Sequence, residues 1–254
     1  MSKLPFLDRD GRVAPPSKRR LLREVRAVLT PRPGLFRDTR LRGAARGDGH
    51  PVLVLPGFLT NDGRTRRLRL FLTRLGYAVY GWGEGVNWGP TEHAVAAAER
   101  RLKDIRRRHG RRVTLIGHSL GGVLARELAK KFPDDIRQVV MLGSPVRLPT
   151  ATSLDVFFRV LSRFHSKALS SDLAEINRPP PDVIPVTAIY TRDDGIVAWE
   201  SCLEQPGPRR ETIEVRGTHS MLPSNPQVMG LVADRLAQPE GAWQPYHDHH
   251  EAAA

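Results

Sequence analysis

The sequence predicts an α/β protein with a mostly parallel central sheet flanked by helices. Three observations lead there. From His50 onward, short apolar runs alternate with segments of helical spacing, the pattern of parallel strands joined by crossover helices. Within that alternation, the stretch VTLIGHSLGGVLARELAKKF passes from a buried-strand pattern through a glycine-flanked serine into a helix with no spacer. Finally, 254 residues suit a single domain of the larger kind.

The organisation follows from composition. Residues 1–48 read as an N-terminal extension carrying a basic amphipathic helix: SKRRLLREVRAVL places Leu21, Leu22, Val25, Val28 and Leu29 on one face among arginines, and TPRPG stops it. Such a helix either packs on the body of the protein or lies on an anionic membrane surface. Residues 49–237 read as the α/β domain. PVLVLP, YAVYGW and RVTLIG are its first three strands, separated by helices near 63–75 and 91–109 and followed by one from Ser119 to about Phe132. In the second of these helices Val95, Ala98, Leu102 and Ile105 recur at three and four residues, so that face should rest on the sheet. IRQVVML, VIPVTAIY and ETIEVR are the later strands, and PQVMGLVADRLA the closing helix.

Residues 146–184 interrupt the alternation. About forty residues between strands are too many for bare loop, so the segment reads as a small helical cap. Its pattern LDVFFRVLSRF places Phe157, Phe158, Val160, Leu161 and Phe164 at helical intervals, facing either a greasy acyl group or the underside of the cap. Residues 238–254, ending HDHHEAAA, read as a disordered tail rather than a metal site.

Charge and cysteine content narrow the partners. The 40 Lys and Arg against 27 Asp and Glu leave a net charge of +13, which attracts anionic lipid, acidic protein or nucleic acid alike. No zinc-finger or RNP-type signature accompanies it, and the arginines sit on helix faces that retain apolar spacing, so nucleic acid is not indicated. An anionic membrane surface or an acidic carrier protein remains a candidate partner. One cysteine, Cys202, excludes an internal disulfide and a multi-cysteine zinc site; it reads as a small apolar filler. No apolar run reaches the roughly 20 residues of a membrane span, and charges and a proline replace the apolar stretch of a secretory leader, so the expected location is cytoplasmic, with a peripheral membrane association open. GWGEGVNWGPT has the wrong spacing for a G-x-G-x-x-G dinucleotide turn, and neither a cofactor nor a metal is expected.

Gly117-His118-Ser119-Leu120-Gly121 fits G-x-S-x-G directly after a strand and directly before a helix, where the turn lifts the serine hydroxyl clear of the sheet. A serine hydroxyl is a weak nucleophile at neutral pH and needs a base, which needs an orienting acid. Downstream, Thr191-Arg192-Asp193-Asp194-Gly195-Ile196-Val197 puts two aspartates after a strand, and Gly217-Thr218-His219-Ser220 puts a histidine after the next. With this Ser, Asp, His order, the region from about His50 to Ala237 resembles the α/β-hydrolase superfamily, most closely its bacterial esterases and lipases.

That resemblance implies a helical cap over an α/β-hydrolase sheet and a serine hydrolase of carboxylic esters or thioesters. Ser119 is the implied nucleophile, His219 the base and Asp194 the acid. Asp194 fits the D-x-I/V-V pattern, with Asp193, expected to cap or pair with Arg192, as the alternative acid. The implied oxyanion donors are the backbone N–H groups of Leu120 and Phe58, although Pro56-Gly57 stands where many relatives read HG. Leu59 with Phe58 lines the acyl site or anchors its loop; Trp82 and Trp88 lie at the pocket rim or fill core; His118 packs between strands. An acyltransferase on the same triad and a non-catalytic basic binding module are the rival readings.

Overall fold

The structure, a computed structural model, describes residues 15–29, 43–147, 175 and 177–247. Its core is a parallel sheet, because the apolar runs are short and the first three strands are each followed by a helix that returns the chain to the same edge. The strands are β1 (Pro51–Leu55), β2 (Ala78–Gly81), β3 (Val113–His118), β4 (Ile136–Leu142), β5 (Val186–Tyr190) and β6 (Arg210–Glu214). The described residues form one sheet of six strands in the order β2-β1-β3-β4-β5-β6, every neighbouring pair parallel. The chain reverses its direction of growth between β2 and β3, so the carboxyl ends of β1 and β3 lie side by side where such sheets open a crevice.

Strand alternation divides the core into two layers. Leu53, Leu55, Leu115 and Met141 face α3 (Glu92–His109) and α4 (Leu120–Lys131), whereas Val52, Val54, Ile116 and Val140 face α2 (Asp62–Leu75) and α5 (Pro226–Ala237). The helices end where their sequences say they should. Asn61 caps α2 through Gly63 N–H, Thr91 caps α3 through Ala94 N–H, and Gly76 and Gly110 close the same two helices in the left-handed region. In α3 the buried residues Ala98, Leu102 and Ile105 match the predicted face.

Two expectations change at the ends of the chain. α1 (Lys18–Leu29) packs on the body with Glu24 turned inward and buried, while Leu22 and Val25, two residues of the expected apolar face, remain about half exposed. Glu24 turns inward because backbone amides that need an acceptor draw a carboxylate into the interior. The tail beyond Gln238 is held as far as residue 247. Gln244 O accepts from Arg235, its N–H donates to the Gln238 side chain, and Tyr246 N–H donates to Glu211 on β6. Tyr246 also packs against the α2–α5 layer, so edge-strand carboxylates recruit a polar segment that composition alone reads as free.

A buried ion pair ties the two halves of the sheet together. Arg126 of α4 donates to Glu204, between β5 and β6, at 2.7 Å and to Asn177 O at 2.8 Å, with both charged side chains sealed from solvent. Cys202 fills an apolar niche with Tyr190 and Val197, where burial pushes its thiol well above its usual range. The proposed cap helix, including Phe157, Phe158, Val160, Leu161 and Phe164, lies outside the described residues.

Candidate active site

Ser119 stands at the abrupt change from β3 to α4, with φ 52° and ψ −123°. It is one of two non-glycine residues in the left-handed region among those described, the other being Leu59 in the neighbouring loop. The turn is possible because its neighbours are small: a Cβ on Gly117 would overlap the backbone of Gly121 and Gly122, and one on Gly121 would overlap the carbonyls of Leu55 and Pro56. The same close fit presses the elbow against the loop after β1. Phe58 of that loop packs on Leu120 and Val123, so the two residues expected to supply oxyanion donors are in contact. As first residue of α4, Leu120 has an N–H without an acceptor among the described residues.

The residues expected as acid and base, Asp194 and His219, meet from separate loops. Asp194 Oδ2 lies 2.6 Å from His219 Nδ1, and Asp194 Oδ1 accepts from the N–H groups of Ile196 and Val197 at 2.8 and 2.7 Å. An acceptor-only carboxylate therefore puts the ring proton on Nδ1 and leaves Nε2 as the basic nitrogen. Asp194 and His219 are both buried, as is Ser119. Burial by itself depresses the His219 pKa, but the charge and hydrogen bond of Asp194, with a smaller contribution from Glu24, raise it above the ordinary value. Thr191 joins the two loops by donating to Gly217 O. Asp193 instead points outward to Arg23 of α1, while Arg192 pairs with Glu214; the expected Asp193–Arg192 contact is not made because β6 offers Arg192 a closer carboxylate.

Ser119 and His219 line one cavity of about 70 Å³ with Gly57, Phe58, His118 and Arg64. Among the described residues Ser119 Oγ makes no hydrogen bond, although it shares its cavity with His219. A larger cavity of about 130 Å³ at the amino edge of the sheet is lined by Arg112, Arg137, Arg209 and Arg235 and contains no serine or histidine.

The other expected substrate contacts fare differently. Trp82 is core: it is buried in the α3–α4 layer with its indole N–H donating to Gly85 O. Trp88 is 66 % exposed and Leu59 about half exposed, and neither lines the cavity. Leu59 anchors its loop instead, its N–H donating to Asn87 O at 2.7 Å. Phe157 and Phe158 are outside the described residues.

Three residues to which sequence patterns assigned no part in the site, Asn87, His118 and Glu24, adjoin it. Asn87 is buried and staples the loop after β1: its amide donates to Pro56 O, its backbone N–H donates to Thr60 O, and its side-chain oxygen accepts from Gly89 N–H. His118 is buried at the end of β3, as a packing residue would be, and also lines the cavity. Its Nε2 donates to His219 O at 3.1 Å, and burial pushes its pKa down to about 3, which keeps it neutral. Glu24 accepts from backbone N–H groups of both the Asp194 and the His219 loops. No local spacing announces these three, since each acts across a long sequence separation.

The family described as "PGAP1-like alpha/beta domain" matches residues 93–197. No curated protein matches the chain in sequence. Among solved structures, the monoacylglycerol lipase of Paleococcus ferrophilus is 19 % identical with a TM-score of 0.55, the match covering 76 % of this chain and 96 % of that one. A lipase-esterase related protein from Clostridium acetobutylicum is 17 % identical (TM-score 0.52, covering 75 % and 97 %). The naproxen esterase of Bacillus subtilis is 15 % identical (TM-score 0.50, covering 77 % and 86 %).

Proposed function

We propose, from the premise that this chain has the α/β-hydrolase fold, that it is a serine hydrolase cleaving carboxylic esters or thioesters through an acyl-enzyme. One observation carries the reading. The buried 2.6 Å contact between Asp194 and His219 faces the same small cavity as a serine held in the left-handed region.

In this reading His219 Nε2 takes the proton of Ser119 as Oγ attacks the carbonyl carbon. The oxyanion that forms is met by the N–H groups of Leu120 and Phe58, each such donor lowering the barrier by about 3 kcal/mol. Collapse expels the alcohol or thiol, which leaves with the proton held by His219. Water then repeats the sequence, with His219 as base, and releases the carboxylic acid. Asp194 holds the imidazole tautomer and stabilises the imidazolium. No step calls on a cofactor.

The test is nucleophile removal. Ser119→Ala should abolish both labelling by a fluorophosphonate probe and hydrolysis of p-nitrophenyl acetate, whose small acyl group suits a 70 Å³ cavity, while circular dichroism stays unchanged. Undiminished labelling of that variant would remove the assignment. Adding a competing alcohol or amine separates hydrolysis from acyl transfer by product analysis.

A second feature bears on where such an enzyme works. Leu22 and Val25 are exposed on α1 beside Arg19, Arg23 and Arg26, an arrangement suited to an anionic bilayer. The protein should co-sediment with phosphatidylglycerol vesicles at low salt, release as salt rises, and ignore phosphatidylcholine. Leu22→Glu with Val25→Glu should abolish the binding.

A further inference from the structure

The N-terminal helix contributes an ionisable side chain to the interior immediately behind the triad. Glu24 is only 3 % exposed, although Leu22 and Val25 of the same helix face outward. Its Oε1 accepts from Gly195 N–H at 3.1 Å and from His219 N–H at 2.7 Å, and its Oε2 accepts from Ser220 N–H at 2.9 Å. Gly195 follows the acid Asp194, and His219 is the base. One carboxylate thus bridges the two loops that must hold these residues in register.

The neighbouring geometry shows that α1 is seated here by fit rather than by loose contact. A Cβ on Gly195 would lie 2.5 Å from the backbone of Arg20 and 2.8 Å from Glu24 Cγ, so glycine at this position makes room for the helix. Arg23 adds a surface ion pair to Asp193 at 3.1 Å, which by itself contributes little. A buried carboxylate is costly unless hydrogen-bonded, and three N–H donors supply the compensation.

We propose that Glu24 is a positioning residue of the hydrolase: it clamps the Asp194 and His219 loops together and places a second negative charge behind the imidazole. This rests on the triad reading above. The charges that face His219 are Asp194 from the β5 loop and Glu24 from α1, opposed by Arg64 of α2, with His118 of β3 held neutral beside it. Glu24 therefore acts in the same direction as Asp194, favouring the imidazolium formed when Ser119 is deprotonated. Removing its charge lowers the His219 pKa and moves the acid limb of the rate profile to lower pH, while the plateau rate falls.

The experiment compares the full-length protein with Glu24→Gln and Glu24→Asp, following the His219 ring by NMR across pH and kcat and KM on p-nitrophenyl acetate. Glu24→Gln should drop the His219 midpoint by about half a pH unit or more. It should reduce kcat about tenfold with KM nearly constant, because what is lost is alignment in the transition state. Glu24→Asp keeps the charge with a shorter reach, and should restore most of the midpoint but only part of kcat. A midpoint and kcat in Glu24→Gln equal to those of the parent overturn the proposal. If Glu24→Gln does not fold, hydrogen exchange in the parent decides: protection of the Gly195, His219 and Ser220 amides supports the clamp, and fast exchange at them overturns it. The ring titration needs no turnover. A Glu24-dependent midpoint in a protein that hydrolyses no ester would sink the hydrolase reading alone; active enzyme indifferent to Glu24 would sink the clamp alone.

Discussion

Side-chain identity has meaning in this protein only together with position relative to the sheet. Asp48, His50 and Thr114 make a second acid, imidazole and hydroxyl chain, with contacts of 2.5 and 3.0 Å, at the amino edge of β1 and β3. There the hydroxyl belongs to the second residue of β3, sealed from solvent, and burial pushes His50 down to about 4, so the chain supports structure rather than chemistry. At the carboxyl edge the same residue types open into a cavity. His219 there is raised above its ordinary value despite burial, and must be neutral to act as base. kcat/KM is therefore expected to increase with pH through an acid limb displaced above the usual histidine range, as a pH–rate profile would read. Asn87 provides a second test. Asn87→Ala orphans Pro56 O and Gly89 N–H, which should cost about 1–3 kcal/mol by chemical denaturation. It should also reduce kcat more than it raises KM, since the loop carrying Phe58 loses its staple.

Among the elements, α4 does the most work. Its first residue lies at the elbow, its glycines admit the close approach of β1 and the β4 end, and Arg126 reaches across to Glu204. Truncating one member of a sealed pair leaves an unpaired charge, so Glu204→Ala should destabilise the fold by about 3–5 kcal/mol in thermal or urea unfolding. Replacing both partners with apolar residues of similar volume should recover much of that loss. The strands and α2 to α5 were legible because 3.6- and 2-residue periods survive in their sequences, and the breaks fall at Asn61, Thr91, Gly76 and Gly110, whose chemistry caps helices. The burial of Glu24 in α1 was not legible: an amphipathic pattern says that a face is apolar, whereas the amides of Gly195, His219 and Ser220 drew this carboxylate inward.

Taken whole, the chain should be sensitive to acid. His50 and His118 are held neutral by burial, at about 4 and about 3, whereas in the unfolded chain both would titrate near 6.5. Between those values the unfolded state binds more protons, so stability falls as pH drops from about 6.5 toward 4. His219, raised in the folded state, works the other way: its contribution is present below about 6.5 and is lost as pH rises through its folded value, so it offsets only part of the trend. The melting temperature should fall by roughly 5 °C or more between pH 7 and 5. The decline should be shallower in His50→Gln, which removes one of the two buried groups without touching the carboxyl edge of the sheet. No described helix is long and apolar enough to cross a membrane, which leaves the +13 charge and the exposed stripe of α1 as the features that vesicle binding would read.

Order along the chain was enough to expect a parallel sheet and to single out Ser119, Asp194 and His219, because strand period, helix caps and the G-x-S-x-G turn are local and leave their imprint within a few residues. Folding in three dimensions decided which aspartate turns inward, that Trp82 is core while Trp88 is exposed, and that Glu24, Asn87 and His118 belong to the site. Those outcomes depend on hydrogen bonds between groups up to 196 residues apart, where the demand of each buried amide or carbonyl for a partner is met by whichever segment the topology brings near.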